Sequence, residues 1–192
     1  VLDASGDVGT SMYTYIGRAI RDAETSQAKL VVIELDTPGG DLDSMRSIVQ
    51  KIEASTVPVA VYVSPAGARA ASAGTFITMA ANIAAMAPST NIGAASPINS
   101  NGSDIGGTLG TKVMNDAVAF IRSIADLRGR NADWAEQAVR NAVAVNSAGA
   151  VTLHVVDFQA ASFDDLLKQS NGRTVTVGNG SKVTLTNLED AP

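Results

Sequence analysis

The chain has no cysteine, one histidine, one tryptophan and only 4 % aromatic residues. Without thiols there are no disulfides, no thiolate zinc sites and no cysteine nucleophile, while the cellular compartment stays open. A single histidine confines any histidine-based catalytic arrangement to His154. Scarce aromatics mean that the core of a 192-residue chain is packed from Ala, Val, Ile and Leu, which suits helices lying close on a sheet. Cations are in deficit as well: 14 Lys and Arg stand against 19 Asp and Glu, for a net charge of −5. A nucleic-acid surface needs clustered Lys and Arg, and this balance argues against one.

Val1-Leu2-Asp3 has neither a basic start nor an apolar run, so no secretory leader is read here. A start at valine points to a piece trimmed from a longer chain. From Ala70 to Ser103 no residue is charged. That length allows a membrane span, but Pro88 and Pro97 interrupt it and Ala, Ser, Thr, Asn and Gly dominate it. A helix and a strand buried in a soluble domain account for it better. The size predicts one domain over residues 1–187, followed by a short tail, 188–192.

Strands and helices alternate through most of the chain. Met12, Ile16, Ala19, Ile20 and Ala23 recur at helical spacing within Thr10 to Thr25, as do Leu42, Met45, Ile48, Val49 and Ile52 further on. Leu30 to Leu35 and Pro58 to Val63 are nearly continuous apolar runs, the pattern of strands covered on both faces. Ala71 to Ala81 reads as a small-residue helix and Ile83 to Ala87 as a short strand. Asn99 to Thr111 holds four glycines and little to bury, which predicts a mobile loop. Lys112 then opens a helix whose face is Val113, Ala117, Phe120, Ile121, Ile124 and Leu127, with Gly129 as its cap. Met114 and Val118 lie off that face, which marks either a contact with a second subunit or a wider core-facing stripe. A helix over Asp133 to Val143 and a strand at Val155 to Phe158 follow. Ser162 to Asp165 caps a helix ending near Ser170, and Thr174 to Thr186 reads as a hairpin turning at Gly178-Asn179-Gly180.

Little of this carries chemistry. Ser72 lies in Ala71-Ser72-Ala73-Gly74, where small neighbours leave its hydroxyl approachable or simply allow close helix packing. A serine nucleophile needs a base beside it. His154 has no triad-like surroundings and reads as a polar residue at the mouth of a strand. Of five lysines, Lys29, Lys51, Lys168 and Lys182 sit where surface lysines are ordinary. Lys112 follows the glycine-rich loop at a helix start, where the dipole opposes positive charge, as a general base requires. An ordinary exposed lysine fits the same spacing. Thr37-Pro38-Gly39-Gly40-Asp41 ends a buried strand and opens a helix. Such a turn aims N–H groups outward for an oxyanion, or is a plain strand–helix turn. A phosphate-binding turn lacks the residues it needs.

Glu34-Leu35-Asp36-Thr37-Pro38-Gly39-Gly40, Pro65 to Thr75 and Ala87-Pro88-Ser89-Thr90-Asn91-Ile92-Gly93-Ala94, in that order, resemble the NfeD family of membrane-bound serine proteases. The likeness continues through Lys112 and Gly129-Arg130-Asn131 to Val155-Val156-Asp157, covering about residues 1–175. It implies an α/β, Clp-protease/crotonase-like fold, here with a C-terminal β-hairpin. It implies Ser72 as nucleophile, Lys112 as general base, and backbone donors to an oxyanion from Gly39 or Gly40 and from Ala73. It implies no cofactor and no metal. The substrate would be an apolar polypeptide segment of a stomatin-like protein, the domain extracytoplasmic and its parent membrane-anchored. A homodimer or larger homo-oligomer is expected. Arg69 stands near the nucleophile where similar sequences often carry a small residue. A non-catalytic scaffold for stomatin-like proteins is the alternative. A crotonase-type acyl-CoA enzyme fits less well, since no cation cluster accompanies residues 39 to 74.

Overall fold

A computed structural model describes residues 1–189. In chain order the elements are β1 (Leu2–Ser5), α1 (Thr10–Thr25), β2 (Val31–Asp36), α2 (Leu42–Ala54), β3 (Val59–Val63), β4 (Arg69–Ala71), α3 (Ala73–Ala80), β5 (Ile83–Met86) and β6 (Asn91–Gly93). Then come α4 (Gly107–Arg128), α5 (Ala132–Arg140), β7 (Ala144–Asn146), α6 (Ser147–Thr152), β8 (Phe158–Gln159), α7 (Phe163–Ser170), β9 (Thr174–Thr176) and β10 (Lys182–Thr184).

Five strands form one parallel sheet in the order β1-β2-β3-β5-β8. Alternate side chains of its central strands enter two separate cores. Ile33, Leu35, Val61 and Val63 join Ile16, Ile48, Phe76 and Ile77 in the larger one. Val32, Ala60 and Tyr62 meet Leu166, Leu185 and Leu188 in the smaller, under α7 and the chain's C-terminal end. Both faces are therefore covered, which is why these strands read as unbroken apolar runs. β4, β6 and β7 make a second, three-stranded sheet, and β9 and β10 pair as the expected antiparallel hairpin. The hairpin is fastened to the main body: Gly178 N–H donates to Ser55 O (2.7 Å), and Thr176 O accepts from Asn82 Nδ2 (2.9 Å).

The caps follow from local chemistry. Asp41 accepts from Ser44 N–H (2.7 Å) at the head of α2, and these Ser44 hydrogen bonds hold its carboxyl below the ordinary range. Ser162 likewise accepts from Asp165 N–H (3.1 Å), while the Asp165 carboxylate reaches back to Ala161 N–H (2.9 Å). One buried cation ties several elements together. Arg130, just past α4, donates to Met79 O (3.1 Å), Ala81 O (3.0 Å) and Asp157 (2.7 Å), and Asp157 also accepts from Ala84 N–H (2.8 Å). Burial pushes the Arg130 guanidinium down against the upward pull of Asp157.

Several expectations need correction. α4 begins at Gly107, inside the stretch expected to be loop, so Lys112 lies in its second turn and does not open it. Gly110 is where the incoming chain crosses the helix: a Cβ there would stand 1.8 Å from Ile105 O. Leu127, expected to face the core, is 59 % exposed, whereas Val118 is buried and Met114 packs on the core. The latter two widen the core-facing stripe and do not form a separate contact face. The strand at 155–158 shrinks to Phe158–Gln159, and β1, β4, β6 and β7 were not foreseen. Leu188 is buried, so packing runs into the expected tail, whose residues 190–192 lie outside the described part. Among the described residues no helix is long and apolar enough to cross a membrane.

Candidate active site

Ser72 occupies the junction between β4 and α3, with φ +52° and ψ −115°. A side-chain-bearing residue in the positive-φ half of the map is strained and persists only where its surroundings over-determine it. Here they do. Ser72 N–H donates to Gly93 O (2.9 Å), and Ser72 O accepts from Thr75 N–H (2.9 Å). The Thr75 hydroxyl, fully buried, lies within hydrogen-bond distance of Ala70 O (3.0 Å) and Gly93 O (3.1 Å) and accepts from Gly93 N–H (3.1 Å). All eight residues of α3 are buried. Ser72 itself is half-buried, raised on a fixed base.

The glycine turn lies directly against it. Thr37 bridges to β4 through Thr37 N–H to Arg69 O (2.8 Å) and Ala71 N–H to Thr37 O (3.1 Å). The chain then reaches Gly39, at φ +121°, where a Cβ would stand 2.7 Å from Ser72 Cβ and 3.2 Å from Ser72 Oγ. Only glycine allows that approach. The three expected oxyanion donors differ in availability. Gly39 N–H is taken by the Thr37 hydroxyl (3.1 Å). Gly40 N–H and Ala73 N–H have no partner among the described residues, and Ala73 is the first residue of a helix, where N–H groups are left over.

Lys112 is exposed on α4, and neither its amine nor the Ser72 hydroxyl makes a hydrogen bond among the described residues. The structure therefore does not join the two. His154 is exposed on the turn after α6, its side chain without a hydrogen bond among the described residues; only its backbone is engaged, its N–H donating to Val151 O (3.1 Å) and its carbonyl accepting from Asn131 N–H (3.0 Å). Arg69 is exposed on β4, and its N–H donates to Asp36 Oδ1 (3.0 Å). Sequence reasoning missed Thr37, Thr75 and Gly93 as supports of the serine. All three stood in the recognised motifs, but their partners are far away along the chain. No cluster of metal-ligating side chains occurs among the described residues.

The parallel α/β body that carries this strand–helix junction has the Clp-protease-like fold. ClpP1 from Listeria monocytogenes superposes with a TM-score of 0.70 over 86 % of this chain and 93 % of its own, at 17 % identity, which speaks to the fold alone. Over residues 1–189 the chain matches the family described as NfeD1b, N-terminal domain, and it belongs to that family. It is 42 % identical over 195 residues to the membrane-bound protease PH1510 of Pyrococcus horikoshii, covering 98 % of this chain but 44 % of that protein. It thus spans less than half the length of that relative. The 1510-N membrane-bound stomatin-specific protease, solved as a lysine-to-alanine mutant in complex with a substrate peptide, superposes with a TM-score of 0.89 at 40 % identity. That superposition covers 96 % of this chain and 85 % of the other. A serine-to-alanine mutant of the same protease gives the same score.

Proposed function

We propose that this domain is a serine endopeptidase in which Ser72 is the nucleophile and Lys112 the general base. The observation that carries the reading is the strained Ser72, held from beneath by Thr75 and Gly93 and packed against Gly39. The one relative solved both with a serine and with a lysine replaced supports the pairing. Ser72 Oγ attacks the peptide carbonyl carbon, its proton passes to the Lys112 amine, and the carbonyl oxygen becomes an oxyanion facing the N–H groups of Gly40 and Ala73. Collapse breaks the C–N bond, and the leaving nitrogen takes the proton from Lys112. Water then attacks the acyl-serine, gives its proton to Lys112, and the proton returns to Ser72 Oγ as the acid departs. No cofactor enters any step. An apolar substrate segment laid across the exposed start of α4 would exclude water from the amine, the setting in which lysine serves as a base.

The substrate class we propose is an apolar segment of a stomatin-like membrane protein, after the specificity in the relative's name. We place the domain outside the cytoplasm at a membrane surface. Incubation with a peptidyl phosphonate followed by peptide mass mapping is expected to find one adduct, on the peptide containing Ser72. An adduct elsewhere, or none with a reagent that labels the relative, would refute the assignment. That the Ser72 hydroxyl and the Lys112 amine are not hydrogen-bonded among the described residues favours the second reading, a scaffold that binds stomatin-like segments without turnover. That reading predicts saturable binding and no adduct.

Self-association is part of the proposal, with its contact moved from Met114 and Val118 to the exposed Leu109 (65 %) and Leu127 (59 %) of α4. Sedimentation at micromolar concentration is expected to show a homodimer or larger, reduced to monomer by Leu109→Ser with Leu127→Ser. A wild-type monomer at every concentration would refute it.

A further inference from the structure

α4 carries a carboxylate one turn past the proposed base. Lys112 and Asp116 are four residues apart, so their side chains share a helix face, and helical side chains lean toward the N-terminus, which tips Asp116 toward Lys112. Left to itself, Asp116 is the natural partner of the Lys112 amine. The structure shows a different pairing. Asp116 is ion-paired to Arg46 of α2, and Lys112 has no hydrogen-bond or ion-pair partner among the described residues. Arg46 is held in place by a ring: its guanidinium lies 4.2 Å from the centroid of Phe120, one turn beyond Asp116. Phe120 in turn stacks on Phe76 of α3, centroids 5.9 Å apart, and Phe76 stands four residues past Ser72. The guanidinium is thus seated on the stack that joins the helix of the nucleophile to the helix of the base.

We infer that Arg46 is a positioning residue for the reaction proposed above: it claims the Asp116 carboxylate and so keeps the Lys112 amine from being tied up in an ion pair. The inference rests on Lys112 being the base. Other charges around α4 are otherwise engaged or placed. On α5, Glu136 bonds to Arg140 (2.6 Å) and Arg122 (2.8 Å), Asp133 bonds to Arg122 (3.0 Å), and Arg140 also reaches Asn115 (3.4 Å). On α2, Glu53 feels Arg128 at the far end of α4, and Asp43 and Lys51 flank Arg46 along the helix. α3 has no charged residue.

The test is a double-mutant cycle on peptide hydrolysis, followed against pH. Arg46→Gln is expected to lower kcat about fivefold at neutral pH and to move the rising limb of kcat up by about 0.7 pH unit, the effect of one carboxylate released beside an exposed amine. KM should change little. Asp116→Asn alone is expected to stay near the wild-type rate, and adding it to Arg46→Gln should restore both rate and limb. A merely structural Arg46 would give a slower enzyme with an unmoved limb and no rescue, and that result would overturn the inference. If the glutamine variant does not fold, Arg46→Lys, which keeps charge but loses the fork, should show a smaller displacement of the same sign. No displacement there would also overturn it. Full activity of Lys112→Ala would instead reject Lys112 as base. Independently of that, a crystal structure of Arg46→Gln reports whether Lys112 Nζ comes within about 4 Å of Asp116, and an amine left apart from it counts against Arg46.

Discussion

Ser72→Ala is expected to lower kcat for peptide hydrolysis by roughly three orders of magnitude or more, and Lys112→Ala by a similar factor. The double variant should be little worse than either single one, because groups that act as a unit lose their whole contribution when either is removed. Steady-state and single-turnover kinetics on a fluorogenic apolar peptide measure all three. A Lys112→Ala variant with wild-type kcat would end the dyad assignment, and His154→Ala, expected to be silent, would then be the variant to pursue. The same position offers a stability readout. Ser72 sits at φ +52° and ψ −115°, where any Cβ is strained. Strain of this kind costs about 1–3 kcal/mol. Ser72→Gly should therefore be inactive yet more stable than Ser72→Ala by about 1 kcal/mol in urea denaturation, even though glycine loses more chain entropy on folding. Equal stability of the two would show that the junction is relaxed.

The second large effect concerns folding. Arg130 has 3 % of its side chain exposed and satisfies two carbonyls at the end of α3 together with Asp157. Arg130→Met leaves those carbonyls without their donor and a half-buried carboxylate without its cation. Removing one partner from a buried pair costs about 3–5 kcal/mol, and that loss is expected in urea denaturation. Arg130→Lys should recover only part of it, since an ammonium cannot reach three acceptors in the plane of the guanidinium fork. Asp157→Asn should cost less, because its amide oxygen still accepts from Ala84 N–H. A loss below about 1 kcal/mol for Arg130→Met would mean that the pair is no better than an apolar filling of the same space.

The long elements were legible because burial imposes a period. α1 and α2 carry their apolar residues at helical spacing, and the central strands are apolar on both faces because both faces are covered. β4, β6 and β7 have three residues each, too few to show alternation, and each exists through a partner distant in the chain. The start of α4 was misread for a similar reason. Gly106, Gly107 and Gly110 look like a loop, yet Gly110 is required by the close crossing of Ile105, which no local pattern reveals. At the candidate site, Ser72, Gly39 and Gly40 were singled out by their surroundings, and the fold brings Gly39 against Ser72. Which N–H remains unpaired did not, because it depends on Thr37 Oγ1 turning back onto Gly39. Nor did the exposure of Lys112, which follows from the helix beginning a turn and a half early.

That α3 has no solvent-facing residue has a mechanical consequence. A helix enclosed on every side cannot slide or rotate without opening the core, so Ser72 at its head is held stationary. The start of α4 is built differently. From Gly107 to Lys112, the start of α4 is exposed at every residue but Gly110, and its N-cap glycine makes no side-chain bond. In the site proposed above, adjustment to substrates of different girth therefore falls to the lysine side. Structures of this domain with different peptides should superpose closely at Ser72 and diverge along the first two turns of α4.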